Sequence, residues 1–186
     1  MILPVYAYGS PVLRKIASDI DADFPELDIL ISNMFETMRS SEGVGLAAPQ
    51  IGKSIRVFVV DASVYGEEYE DLKDFRKVFI NARIIEEWGD EELLSEGCLS
   101  VPKIHEDVLR KSSIRMKYLD EQFVEHEKVY EGMAARIIQH EYDHLEGIMF
   151  PDKLSPLKKR LIKGKLRDIS NGKVNTSYKM IFPTKK

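Results

Sequence analysis

The chain has 186 residues, of which 44% are hydrophobic, enough to enclose one sizeable core but not two. Its net charge is −4, it has no run of 18 consecutive apolar residues, and its start, MILPVYAYGS, lacks the pattern of a signal or transit peptide. These features predict one domain over residues 1–186, located in the cytoplasm, and we expect neither a membrane nor DNA as a partner. The one cysteine, Cys98, excludes an internal disulfide and leaves a free thiol to be explained.

The first predicted element is an amphipathic helix that ends before Gly43. Asp23 is the expected N-cap, and Pro25 lies near the expected first turn. Apolar residues recur at intervals of three and four, as one buried helix face requires, and they are Leu27, Leu30, Ile31, Met34 and Met38.

Strands are predicted after the stretch GVGLAAPQIG (43–52). Four segments are rich in strand-forming residues: 56–61, 78–88, 113–119 and 123–130. Asp120, Glu121 and Gln122 separate the last two segments, as the turn of a hairpin would. Because helices do not alternate with these strands as in βαβ units, we predict an α+β fold with antiparallel strands.

A second helix is predicted over residues 132–146, and it contains QHEYDHLEG (139–147). His140 and His144 are four apart, so on a helix their imidazoles project from one face and can bind one divalent ion. Glu141 lies beside them and can take a proton from a water that the ion activates. The strands are therefore expected to pack around a central metal-binding helix, with one helix before it and one after it.

A catalytic zinc or iron site needs a third protein ligand and one open coordination position. Zinc proteases that use a histidine six residues after the second one have no match, because that position is Phe150. Those that use a glutamate some twenty residues later match poorly, since the chain beyond Gly147 contains only two acids, Asp152 and Asp168. The candidates upstream are Cys98, His105 and His126. The thiolate of Cys98 is the softest and most strongly binding of these, and binding would account for the lone cysteine.

A third helix is predicted over residues 155–169, with Ser155 as N-cap and Pro156 at the first position. Residues 156–186 contain ten Lys and Arg against one acid, Asp168, which leaves 17 basic and 30 acidic residues in the rest of the chain. This basic helix and tail predicts either a solvated surface or attraction to a polyanion such as RNA. A short extended segment is predicted over residues 178–182.

Three motifs together resemble the signatures of peptide deformylases. They are GVGLAAPQIG (43–52), EGCLS (96–100) and QHEYDHLEG (139–147), in the order and at the separations of that family. The segment PVLRKIA (11–17) and the basic helix also look like the bacterial form. The resemblance covers roughly residues 1–170, and the chain from Asn171 onward has no counterpart on which an inference can rest.

The resemblance implies a bacterial hydrolase that removes the N-formyl group from the formyl-methionine of nascent peptides and releases formate. It implies one Fe²⁺ per chain, replaceable by Zn²⁺ or Ni²⁺. The ligands would be Cys98, His140 and His144. Glu141 would be general base and then general acid, while Gln50 and the backbone N–H of Leu99 would stabilise the oxyanion. Losing one such donor typically costs about 3 kcal/mol in transition-state stabilisation.

The methionine side chain of the substrate needs an apolar pocket. Its candidate residues, each of which is equally a candidate for plain core, are Val44, Leu94, Met133 and Ile137. Gly43 and Gly45 are expected to let an extended peptide run beside the backbone, and Gly97 to allow close approach near Cys98. His105 occupies a position where some relatives have an arginine that contacts the peptide, and His126 is expected to be solvated.

Asp143 lies between the two histidines, where the family pattern keeps an acid. We predict that it pairs with Arg110, at a position where relatives have arginine, and so anchors the helix to the strand region that carries Cys98.

Two other functions are compatible with parts of this pattern. A structural or sensory metal protein would use the same three ligands, but no fourth ligand is evident. A metallopeptidase would cut peptides internally. Because the C-terminal helix of some deformylases docks on ribosomal RNA, the basic helix also predicts ribosome docking. Its cationic residues are Lys158, Lys159, Arg160, Lys163, Lys165 and Arg167.

Overall fold

The computed structural model describes residues 1–183 of the chain. In chain order the strands are β1 (Val5–Tyr6), β2 (Gly45–Ala47), β3 (Val57–Asp61), β4 (Arg76–Cys98), β5 (Val101–Leu119), β6 (Glu125–Glu131) and β7 (Met180–Ile181). The helices are α1 (Leu27–Ser40), α2 (Gly132–Leu145) and α3 (Pro156–Ser170). Strands β2 to β6 form one antiparallel sheet in sequence order, which confirms the predicted α+β class. No helix of residues 1–183 is long and apolar enough to cross a membrane.

Strand β3 is buried on both faces because it lies between two helices. Alternate side chains of a strand point to opposite faces of the sheet. Val57 and Val59 pack in a cluster with α1, whereas Phe58 and Val60 pack in a cluster with α2. The sheet is therefore covered on one face by α1 and on the other by the helix that carries the two histidines.

Helix α1 begins later than the sequence predicts. The predicted N-cap Asp23 and first-turn Pro25 both precede the helix, and Glu26 occupies the N-cap with φ of 54°. The chain first makes a turn in which the Phe24 N–H donates to the Asp21 carbonyl. Four of the five predicted apolar residues, Leu30, Ile31, Met34 and Met38, are buried. Leu27 is only partly buried, and Phe35, which was not predicted, is buried with the others.

Strands β4 and β5 form a hairpin much longer than the predicted segments 78–88 and 113–119. Gly89, with φ of +82°, lies at a shift of register between Trp88 and Glu91, after which pairing resumes. The hairpin closes at Leu99 and Ser100, since Cys98 pairs with Val101. Cys98 is therefore the last residue of a strand.

The chain after α2 returns to its beginning. Ser155 caps α3 as predicted, since its hydroxyl accepts from the Lys158 N–H at 3.3 Å. The predicted last extended segment is the short strand β7, which pairs with β1. This pair is parallel, unlike the predicted antiparallel strands, because nearly the whole chain lies between its members and no hairpin turn dictates their direction.

Candidate active site

Helix α2 presents the histidine pair from a largely buried position. Glu141, Asp143 and His144 are buried, and His140 is partly buried. The rings of His140 and His144 lie 5.2 Å apart between centroids and are nearly perpendicular. One helical turn separates the two residues, as their spacing predicts.

The end of β4 brings Cys98 to these histidines. The Cys98 Sγ lies 3.4 Å from His144 Nε2, and the ligand atoms of Cys98, His140 and His144 all lie within 4.8 Å of one another. One thiolate and two imidazoles at this separation suit a single first-row divalent ion. Of the three upstream candidates, Cys98 is the one that the fold brings to the histidine pair.

Glu96 is a site residue that the sequence analysis missed. Its Oε2 accepts from His140 Nδ1 at 2.8 Å, which leaves the Nε2 lone pair of that imidazole free for a ligand. Burial by itself raises the pKa of Glu96, but hydrogen bonds from Arg110 and His140 outweigh this and hold it far below its ordinary value. Its position two residues before Cys98 on a strand was the available signal, because such residues share a face.

Arg110 joins Glu96 to Asp143, the ion pair partner that the sequence predicts for it. The Arg110 Nε and Nη2 donate to the two Glu96 oxygens at 2.6 and 2.9 Å, and its Nη1 donates to Asp143 Oδ2 at 2.8 Å. Arg136, also missed from the sequence, donates to Glu96 Oε1 at 2.9 Å. This buried network ties α2 to β4 and β5, the strands on either side of Cys98.

The Glu141 carboxyl is buried beside the glycine-rich strand β2. Its Oε2 finds no hydrogen-bond partner among the described residues. Burial raises the pKa of Glu141 to about 7, although the charge on His140 opposes the shift. A side chain at Gly45 would occupy the same space, because a Cβ there would lie 2.6 Å from the Glu141 carboxyl carbon. Gly45 therefore makes room for the carboxyl group.

Gln50 lies against both Cys98 and the hairpin turn. Its Oε1 accepts from the Ala47 N–H at 2.8 Å, which fixes the orientation of the amide. Its Nε2 then points to Cys98 Sγ at 3.4 Å and to Ser100 Oγ at 3.3 Å. The two predicted oxyanion donors, Gln50 and Leu99, thus lie beside the same cysteine.

An open cavity of about 870 Å³ lies in front of this cluster. Nine of the predicted site residues outside the metal ligands line it, namely Gly43, Val44, Gly45, Gln50, Gly97, Leu99, Met133, Ile137 and Glu141. Leu94 does not line the cavity, because it pairs with Val108 in the hairpin and its side chain is exposed. The prediction that it is a pocket residue is therefore wrong.

The other two histidines have different surroundings. His105 lines the cavity and packs on Gly97, where a Cβ would lie 2.6 Å from the ring. His126 is partly buried instead of fully solvated, since its ring stacks on Tyr118 and its Nε2 lies 2.7 Å from Asp120 Oδ2.

The chain after α3 also contributes to the cavity, which no sequence motif indicated. Asn175, Thr176, Ser177 and Tyr178 line its wall. The Tyr178 hydroxyl donates to the carbonyl of Leu99 at 2.7 Å. Only the tertiary contact reveals this, because the two residues are 79 positions apart.

Comparison with known proteins gives the same assignment as the geometry. The sequence profile of the polypeptide deformylase family matches residues 2–160. A peptide deformylase of Christiangramia forsetii is 55% identical, over 100% of this chain and 98% of that protein. The crystal structure of a peptide deformylase from Legionella pneumophila is 38% identical with a TM-score of 0.79, over 93% of this chain and 98% of that one.

A third match is the Met-Ala-Ser-bound crystal structure of a class I type b peptide deformylase from Acinetobacter baumannii. It is 37% identical with a TM-score of 0.76, over 83% of this chain and 99% of that one. The chain belongs to the polypeptide deformylase family, metal-dependent hydrolases that remove the N-formyl group from nascent peptides.

Proposed function

We propose that Cys98, His140 and His144 hold one divalent metal ion and that Glu141 moves the protons of deformylation. The observation that carries this proposal is the convergence of one sulfur and two imidazoles within 4.8 Å, with Cys98 and His140 on the lining of an open cavity. Three protein ligands leave a coordination position open, as a catalytic site requires. When bound, the ion supplies positive charge that lowers the pKa of water from 15.7 to about 7 and polarises a carbonyl.

Glu141 is suited to both proton transfers. Burial raises the pKa of its carboxyl group, whereas a cation held beside it would lower that pKa, so both protonation states are within reach of neutral pH. It can therefore accept a proton from the attacking water and donate it to the nitrogen that leaves as a free amine. The buried position beside Gly45 keeps the carboxyl group away from competing side-chain partners.

Gln50 and Leu99 serve the developing negative charge on the formyl oxygen. Because the Ala47 N–H fixes the Gln50 carbonyl oxygen, the Gln50 amide N–H faces Cys98 before the substrate binds. The Leu99 backbone N–H is the second donor, on the turn that follows Cys98. Donors that are already in place pay no cost of reorientation during the reaction.

The substrate is a peptide that begins with formyl-methionine. Val44, Met133 and Ile137 line the cavity and provide apolar contacts for the methionine side chain. A side chain would not fit at two glycines of the cavity wall, because a Cβ at Gly43 would meet Leu99 and a Cβ at Gly97 would meet His105. The Met-Ala-Ser complex of the Acinetobacter baumannii relative supports a peptide that continues beyond the first residue.

Formate release from formyl-Met-Ala-Ser tests this function against its rivals. We expect release with metal-loaded protein and none after chelation. A structural metal protein would release no formate, and a metallopeptidase would cut a blocked peptide internally.

For the metal itself we propose Fe²⁺, with Zn²⁺ or Ni²⁺ as replacements, since a mixed thiolate and imidazole site binds all three. Elemental analysis of anaerobically purified protein, with activity before and after air exposure, tests the proposal for iron.

We place this reaction in the bacterial cytoplasm and propose that α3 docks on ribosomal RNA. Ile162, Leu166 and Ile169 form its buried face, which leaves most of its cations exposed. Reversing the charge of Lys159 and Lys163 should weaken cosedimentation with ribosomes, most strongly at low salt. The matched control reverses Lys73 and Lys128, exposed cations outside α3. Equal pelleting of both double variants would count against docking.

A further inference from the structure

The segment of residues 174–178, here called the tail segment, lies at the proposed active site. Asn175, Thr176, Ser177 and Tyr178 line the same cavity as Glu141. Inside the segment, the Thr176 hydroxyl donates to the Tyr178 carbonyl at 2.7 Å. The chain thus runs from a basic helix on the surface to the wall of the substrate cavity.

The tail segment is attached to the hairpin turn through Tyr178. Its hydroxyl donates to the Leu99 carbonyl at 2.7 Å, and the phenol ring is half-buried. A second hydrogen bond holds the turn, in which the Tyr8 N–H donates to the Ser100 carbonyl at 2.8 Å. The two carbonyls of the Leu99–Ser100 turn therefore accept from two distant parts of the chain.

Strand β7 anchors the chain directly after Tyr178 through backbone hydrogen bonds. The Val5 N–H donates to the Lys179 carbonyl at 2.9 Å, and the Ala7 N–H donates to the Ile181 carbonyl at 2.8 Å. Since these bonds anchor the chain directly after Tyr178, the phenol hydroxyl is not needed to keep the tail in place. Its contact with Leu99 instead acts on the turn.

We propose that Tyr178 is a positioning residue, which holds the Leu99 turn so that the Leu99 N–H points at the formyl oxygen. The proposal rests on the function proposed above, in which that N–H is an oxyanion donor. On one side Leu99 is fixed by Cys98, the end of β4, and on the other its carbonyl is fixed by Tyr178. The peptide group that carries the Leu99 N–H lies between these two held points, which restricts its rotation. Such preorganisation is what makes a donor effective.

The variant Tyr178→Phe tests this proposal, because it removes the hydroxyl and keeps the ring. We expect kcat for formyl-Met-Ala-Ser to fall about tenfold while KM stays within about twofold, since the lost interaction acts in the transition state. Amide hydrogen exchange of the peptide covering residues 96–101 should become faster. The control Tyr130→Phe also deletes a buried, hydrogen-bonded phenol hydroxyl, which lies 2.9 Å from that of Tyr118, and should keep kcat and that exchange rate.

Unchanged kcat and unchanged exchange in folded, metal-loaded Tyr178→Phe would overturn the proposal. If that variant does not fold, Thr176→Val loosens the same segment and must lower kcat and speed exchange at residues 96–101, and no change in either would equally overturn it. Absence of formate release by the wild-type protein would instead reject the proposed function, while the exchange measurement still reports whether Tyr178 holds the turn.

Discussion

Removal of the buried guanidinium of Arg110 should destabilise this protein strongly. Arg110→Met deletes three charge-assisted hydrogen bonds of 2.6 to 2.9 Å, two to Glu96 and one to Asp143. The side chains of all three residues are at most 11% exposed, so water cannot replace the lost partner well. Breaking a buried ion pair by removing one partner typically costs about 3–5 kcal/mol.

Glu96 and Asp143 keep other partners in this variant, so the expected loss of unfolding free energy is at the lower end of that range. Glu96 keeps its contacts with Arg136 and His140, and Asp143 keeps Lys153 Nζ at 3.4 Å. We therefore expect Arg110→Met to lower the free energy of unfolding by about 3 kcal/mol.

Urea denaturation of metal-free protein measures this loss without the contribution of metal binding. The control is Lys111→Met, the next residue of β5, whose Nζ lies 3.6 Å from Glu91 on the surface. An exposed pair of this kind is worth about 0–1 kcal/mol. If the two variants lose the same stability, or if Arg110→Met loses less than about 1 kcal/mol, the buried network does not join the helix to the strands.

Three further outcomes are expected. Glu141→Gln should lower kcat about 10²- to 10⁴-fold with unchanged metal content, and activity above a hundredth of wild type would show that another group moves the proton. Gly45→Ala should lower kcat because its Cβ meets the Glu141 carboxyl, whereas Gly164→Ala, with nothing within 4 Å, should keep kcat and stabilise α3 by about 0.5–1 kcal/mol. Burial by itself raises the pKa of Asp61, but hydrogen bonds from Ser63 and from the Arg39 guanidinium outweigh this and lower it overall. The ionised Asp61 therefore contributes to the free energy of unfolding above the unfolded pKa near 4, and this contribution is lost in acid. The stability lost in Asp61→Asn at pH 7 should shrink by pH 3, and an equal loss at both pH values would contradict this prediction.

The local elements of the site follow from the sequence because their signals are short-range. The spacing of His140, Glu141 and His144 on a helix requires only the helical period, and the buried face of α1 follows from the same period. The predicted segment 78–88 is too short because its strand-forming residues end at Trp88. In the structure β4 continues to Cys98, with Gly89 at an irregularity of the pairing.

The chemical groups of the site could be predicted from the residue types: one sulfur, two imidazoles and one carboxyl group, together with an antiparallel α+β fold. Which further groups meet them depends on the three-dimensional packing of the chain. Glu96 beside His140, Gly45 beside Glu141 and Tyr178 on the Leu99 carbonyl are all contacts between distant parts of the chain. A local period carries no information about such contacts, because they depend on the long β4–β5 hairpin and on the pairing of β7 with β1. For the same reason Leu94, a predicted residue of the methionine pocket, lies exposed outside the cavity.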